Sequence, residues 1–277
     1  MESKLISIII PCYNDVKYIE QSVNSALNQT YQNKEVIVVD DGSNVKTKEI
    51  LKKIEPKITK LITQKNQGQS TARNAGIEAA SGAYILTLDS DDYFEPSFCE
   101  KAILIMNASE EIKLVSCFAT LIYNNGFTQV FKPKGGILKD FLFSNCAMGS
   151  VLFSKQEWNM VGGYDEAMRE GFEDWEFYLR LLVNGGKAVI VDENLFNYRR
   201  RNNSTTSKAN KIKTKLLKYI YLKHSDLYKD NFELFVGHVM RMLENEEKEK
   251  LKNLERIEFN IGTTILKPLR YIKSLFK

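Results

Sequence analysis

No C-x-x-C pair and no framework spacing links the four cysteines Cys12, Cys99, Cys117 and Cys146 of this 277-residue chain. Neither a zinc knuckle nor a disulfide scaffold is indicated, and reduced thiols in the cytosol are the default. No apolar run reaches the length of a membrane span. The N-terminal run Leu5 to Ile10 is interrupted by Ser7, is too short for a signal-peptide core and has no small-residue cleavage site. There is no Gly/Pro/Ser-rich linker, internal repeat or low-complexity segment, so composition marks no clean boundary. The net charge of +4 is uneven: residues 208–277 hold sixteen basic and nine acidic residues, and the remainder is net −3. Those lysines are interleaved with acids and form no recognisable nucleic-acid motif, so no nucleic-acid partner is expected.

What the chain does have is alternation. LISIII, EVIVV (35–39), KLITQ (60–64) and AYILTL (83–88) read as strands. Between them lie helix-period segments: one over Val16 to Leu27 with Asn14 or Asp15 as its cap, TKEILKKI, and QSTARNAGIEAA. Strands apolar throughout and separated by helices predict an α/β wound, mostly parallel sheet with helices on both faces. Further strands are expected in LVSCFATLIYN, TQVF, SVLFS and AVIV, and a helix in FEDWEFYLRLLVNG, where Trp175, Phe177 and Tyr178, like Trp158, suit the core. From Ser207 the pattern turns helical and charge-rich. The expected division is a domain over 1–206, with halves 1–95 and 96–206, and a basic helical extension over 207–277.

In wound sheets ligands bind beyond the carboxyl ends of the strands. Three polar clusters fall there: PCYND after the first strand, DDGS (40–43) after the second, DSDD (89–92) after the fourth. Three carboxylates within four positions repel one another unless a cation intervenes. A hard divalent ion suits them, because Mg²⁺ and Mn²⁺ take one or two carboxylates and complete their shells with phosphate oxygens. The alternative is a solvated turn with Ser90 or Asp92 capping the next helix. DDGS could equally be a turn or a nucleotide contact. Tyr13 could lie against a base or pack in the core, and Arg73 could fork onto a diphosphate or pair with a glutamate.

SIIIPCYND, EVIVVDDGS, NQGQSTARNAG, GAYILTLDSDD, VGGYDE and GFEDWEFYLRL, in this order over about the first 205 residues, resemble the family 2 glycosyltransferases of the GT-A fold, inverting and of the bacterial polysaccharide type. The resemblance implies a nucleotide-diphosphate sugar donor, with UDP the expected nucleotide, a saccharide or lipid-linked saccharide acceptor, and Mn²⁺ or Mg²⁺ as cofactor. It implies that Pro11, Tyr13 and Asp41 line the base, Arg73 approaches the diphosphate, Asp89 contacts ribose or metal, Asp91 ligates the metal and Asp174 is the catalytic base. VGGYDEAM would border the acceptor. Many relatives place a histidine near a Tyr-Arg pair after the last strand; here the sequence reads NYRRRNNSTTS, and the only histidines, His224 and His238, lie in the tail. Arg199, Arg200 or Arg201 stands in that region instead.

Two competing readings are an inactive binding protein of the same fold and a sugar nucleotidyltransferase. Intact Asp91, Asp174 and Arg73 argue against the first; the absence of glycine from PCYND argues against the second. The expected location is cytoplasmic. In the tail Ile265, Leu269, Ile272 and Phe276 share one side of a helix, with Lys267, Arg270, Lys273 and Lys277 largely on another, a pattern suited to an anionic membrane face. Docking on the catalytic domain or on a second subunit of a homo-oligomer fits the same pattern. Pro268 is expected to start or kink that helix.

Overall fold

The computed structural model describes residues 4–201 and 204–274. Its first half comprises β1 (Ile6–Cys12), α1 (Ile19–Leu27), β2 (Lys34–Asp41), α2 (Val45–Ile54), β3 (Lys60–Gln64), α3 (Gln69–Glu78) and β4 (Tyr84–Thr87). β1 pairs in parallel with β2 and β4, and β2 with β3, which aligns their carboxyl ends along one edge. Every residue of β1 and β4 is buried, as two covered faces require. Each buried Ile or Leu, such as Ile8, Ile10 and Leu86, contributes roughly 1.5–3 kcal/mol over an exposed one.

The helix after β1 starts later than expected. Asn14 has φ 54° and accepts the Asn44 backbone N–H at 2.7 Å, while Asp15 accepts the Ser90 hydroxyl at 3.0 Å. Both side chains are spent on neighbouring loops, so α1 begins behind Tyr18 with no side-chain cap.

The chain continues through β5 (Tyr93–Phe94), α4 (Phe98–Met106), β6 (Ile112–Tyr123), β7 (Thr128–Phe131), α5 (Leu138–Phe141), β8 (Leu152–Ser154), α6 (Lys155–Val161), α7 (Glu173–Leu182), β9 (Lys187–Arg200), α8 (Thr205–Lys211) and α9 (Lys213–Lys223). Among the described residues the strands form one sheet in the order β3-β2-β1-β4-β8-β6-β9-β5, with β7 on β6. β8 runs antiparallel to both β4 and β6, and β9 runs parallel to β6. β9 outlasts the AVIV reading because its continuation pairs with both β6 and β5; this carries Arg199 and Arg200 to the edge where DSDD lies. Trp158, Trp175, Phe177 and Tyr178 are buried, as expected of core aromatics.

The chain divides into two compact units, one extending to Lys223 and one from His224 to Lys277. The first therefore passes residue 206 and takes in α8 and α9. The second holds α10 (Ser225–Asp230), α11 (Phe232–Glu255) and α12 (Ile257–Ser274). α11 buries none of its 24 residues, and Pro268 lies inside α12 rather than at its start. Ile265, Ile272, Lys267 and Lys273 are exposed. Phe276 and Lys277, and the side chains of Leu269 and Arg270, lie outside the described residues. No helix among those described is long and apolar enough to cross a membrane.

Candidate active site

The edge formed by β1, β2 and β4 opens onto a cleft of about 700 Å³. Pro11, Tyr13, Asp41, Arg73, Asp89, Asp91 and Asp174 all line it, together with Asn145, Gly149, Arg169 and Arg199 to Arg201. Five of the six motifs, and the NYRRR segment, thus converge on one space across 190 positions, whereas no residue of VGGYDEAM (161–168) lines it.

The cations sought for DSDD are arginines from opposite ends of the domain. Arg73 on α3 donates through Nη2 to Asp89 at 2.7 Å, and Arg201 pairs with Asp91. The backbone N–H of Arg199 donates to Asp92 at 2.7 Å. Compensation is incomplete. Asp91 is pushed up to about 6, first by burial and then by Asp89, with Arg201 opposing and Asp15 adding. Asp92, 1% exposed, is driven well above the carboxylate range by burial and by Asp91 and Asp89. Its second oxygen has no partner, which suits a protonated acid better than a buried unpaired charge.

Among the described residues no three His, Cys, Asp or Glu side chains group to hold a metal unaided. Asp91, with Asp89 beside it, supplies the one or two carboxylates of an ion that completes its shell with phosphate oxygens. Burial first, and Asp89 and Asp15 after it, raise Asp91; a cation bound there would offset both, so the residues fit a hard divalent cation.

At the end of β2, Asp41 is 3% exposed and accepts from the Gln64 amide at 2.8 Å and from the backbone N–H groups of Gln67 and Gly68 at 2.8 and 2.9 Å. It gathers the loop that leads into α3 and satisfies N–H groups at a helix start that has no cap of its own. Tyr13 stands 53% exposed, its ring available to a planar partner.

Arg73 is 1% exposed and reaches two carboxylates, Asp89 and, through Nη1 at 2.8 Å, Glu173. Its guanidinium lies 5.3 Å from the Tyr164 ring centre. Both forks are thus engaged with protein groups, and Arg73 joins DSDD to the start of α7. Gln69, which sequence reasoning passed over, adds a 2.7 Å bond to Asp89.

The α7 start is built by a sharp turn. Gly171 has φ 118° and Phe172 φ 65°, and a Cβ on Gly171 would meet the Ala209 Cβ at 2.7 Å. This residue must be glycine for both reasons. Glu173 and Asp174 then occupy the first turn, where exposed N–H groups favour negative charge. Glu173 is nonetheless pushed up to about 7 by burial, with Arg73 opposing and Asp174 adding. Asp174 is also raised, by burial first, with Arg73 and the N–H groups of Trp175 and Asp174 opposing. Glu173 is committed to Arg73, whereas Asp174 is half-buried and accepts one bond from Asn145 at 2.8 Å. Of these two acids, Asp174 is the one that lines the cleft without an ion pair to Arg73.

Residues 7–156 match the family described as Glycosyl transferase family 2. An uncharacterized glycosyltransferase of Methanocaldococcus jannaschii is 31% identical over 233 residues, covering 80% of each chain. The chondroitin synthase of Escherichia coli is 31% identical over 192 residues, which span 65% of this chain and 27% of that protein. Among solved structures, S. aureus TarS 1-349 in complex with UDP-GlcNAc superposes with a TM-score of 0.62 at 22% identity, over 74% of this chain and 61% of that one. That likeness extends to the fold, an α/β sheet of the GT-A type.

Proposed function

This chain belongs to glycosyl transferase family 2, and from that premise we propose that it transfers a sugar from a UDP-sugar to an acceptor hydroxyl with inversion, in the assembly of a cell-surface polysaccharide. The observation that carries this reading is Asp174 and Asp91 facing one cleft beside the nucleotide-side residues Tyr13 and Asp41. UDP is favoured by likeness to TarS, solved with UDP and with UDP-GlcNAc. A polysaccharide product is favoured by likeness to the chondroitin and hyaluronan synthases.

In the proposed reaction the acceptor oxygen attacks the anomeric carbon while Asp174 takes the hydroxyl proton. The bond from that carbon to the phosphate oxygen breaks, and the nucleoside diphosphate leaves with the electron pair. A divalent ion, held by Asp91 with Asp89, would supply Lewis-acid stabilisation of the departing diphosphate. Arg200 and Lys213, which line the cleft, add positive charge. With base and leaving group on opposite faces of the sugar, a UDP-α-sugar gives a β-glycoside.

The test is a donor screen with Mn²⁺ or Mg²⁺ and UDP-glucose, UDP-galactose and the two UDP-N-acetylhexosamines, reading released UDP and the anomeric coupling of the product by NMR. One donor turned over to a β-product supports the proposal. An α-product overturns inversion, and nucleotide binding without turnover of any donor supports an inactive binding protein instead.

Asp91→Asn tests the metal. Titration calorimetry is expected to show Mn²⁺ strengthening UDP binding by about tenfold or more in the wild type and hardly at all in the variant, since a lost charge-to-metal contact is worth several kcal/mol at most. Undiminished wild-type turnover in excess EDTA would refute this.

The tail is proposed to rest on an anionic membrane face, supported by exposed Ile261, Ile265 and Ile272 on α12 with Lys267 and Lys273 on other sides. Each basic residue near such a surface contributes about 1 kcal/mol. Lys267→Glu combined with Lys273→Glu is therefore expected to release the protein from phosphatidylserine-containing vesicles in a co-sedimentation assay. Equal binding by variant and wild type, or none by either, defeats that placement.

A further inference from the structure

Asp174 is held from a loop that no sequence motif marks. Asn145 donates from Nδ2 to Asp174 Oδ2 at 2.8 Å, and its own Oδ1 accepts the Ala147 backbone N–H at 3.1 Å. A backbone N–H can only donate, so the amide oxygen must face Ala147 and the NH₂ must face the carboxylate. The loop is itself pinned: Cys146 O accepts the Gly135 N–H at 2.8 Å, and the Met148 N–H donates to Ser116 Oγ at 3.2 Å. From the far side of the loop Gly149 closes on the same oxygen, where a Cβ would stand 3.3 Å from Asp174 Oδ2.

We propose that Asn145 is a positioning residue for the base: its amide holds the Asp174 carboxylate ionised and fixes which oxygen remains for the acceptor hydroxyl, in a space that Gly149 keeps open. This deepens the function proposed above and rests on Asp174 being the base. A hydrogen bond donated to the charged form favours it. The titratable groups facing Asp174 are Arg73 from α3, Glu173 beside it, Asp89 after β4, Tyr164 before α7 and Tyr178 on it. Arg73 is the single cation in that set and it is shared with Asp89 and Glu173. Asn145 therefore supplies a neutral donor where burial works against the carboxylate.

Carbon-13 NMR of aspartate-labelled full-length protein reads the titration directly, with the Asp174 signal assigned by its loss in Asp174→Asn. Asn145→Ala is expected to raise the Asp174 midpoint by about one pH unit, and Asn145→Asp, isosteric but anionic, by more. Asn145→Asp keeps an acceptor for the Ala147 N–H, so it retains the loop if the alanine variant does not fold. In turnover of the donor found by the screen, the acid limb of kcat is expected to move with the midpoint, and kcat to fall by up to about tenfold at pH values below it, with KM for the donor unchanged. Gly149→Ala should lower kcat in the same way with Asn145 intact. An Asp174 midpoint unmoved in both Asn145 variants overturns the proposal. Full turnover by Asp174→Asn would instead overturn the base assignment, and because the NMR midpoint needs no substrate the two failures are distinct.

Discussion

Replacing Asp174 with asparagine is expected to lower kcat by about a hundred- to ten-thousandfold, the range of a general base, while KM for the donor stays near the wild-type value. The substitution keeps the shape, the position in the first turn of α7 and an oxygen able to accept from Asn145. It removes the ability to take a proton. Because that step is needed in the transition state and not for holding the donor, the loss falls on kcat. Wild-type rates should also decline as pH falls: burial raises the Asp174 carboxyl, so the ionised fraction drops at a pH where a solvent-exposed aspartate would still be charged. Steady-state kinetics across pH check both points. A variant with near-normal kcat would shift the role to Glu173, which is tied to Arg73 and 6% exposed.

Arg73→Met is expected to act on stability as well as rate. The guanidinium is 1% exposed and pairs at 2.7 Å with Asp89 and at 2.8 Å with Glu173, so methionine would fill much of its volume but leave two acids facing each other without the cation. Breaking a buried pair by removing one partner costs about 3–5 kcal/mol, more than replacing the whole set with apolar groups would. Denaturant unfolding should show that loss. Removing the acids as well, in Arg73→Met with Glu173→Gln and Asp89→Asn, should recover a large part of the stability but not the activity. If the single variant were as stable as the wild type, the Arg73 bridge would be a surface-like contact and not a buried strut.

How far the site could be read in advance depended on distance along the chain. β1, β2 and β4 were legible because their signal is local, a run of apolar residues ended by Asp or Pro-Cys-Tyr, and DSDD follows β4 directly. The start of α1 is not legible locally, because the acceptors on Asn14 and Asp15 are claimed by Asn44 and Ser90, 30 and 75 positions away. Arg73 could be singled out from its motif, but its partner Glu173 lies 100 positions on, and nothing near TARN announces it. Nothing in the sequence marks Asn145, since a lone asparagine in a polar loop is usually a turn residue. The length of β9 was underestimated because Asp192, Glu193 and Asn194 break the apolar pattern, whereas pairing on both sides of the later residues carries the strand through to Arg200.

The insertion of β8 between β4 and β6, and the pairing of β9 with both β6 and β5, bear on the order in which the molecule can be made. β1, β2 and β3 pair with partners fewer than thirty residues away and β4 returns to β1 across 78, all within the first 87 residues, so that half can condense while the chain is still emerging. The cleft cannot. Its floor requires Glu173 to reach back to Arg73 and the Arg199 N–H to reach back to Asp92, separations of 100 and 107 residues. Loop closure over such spans is slow, and until it happens Asp91 and Asp92 stand in water without Arg201 and the Arg199 N–H, while Asp89 already has Arg73, 16 positions away. A nascent chain stalled before residue 200 would thus present a finished β1–β4 sheet with one wall of the cleft missing, and that wall would close only after β9 had docked.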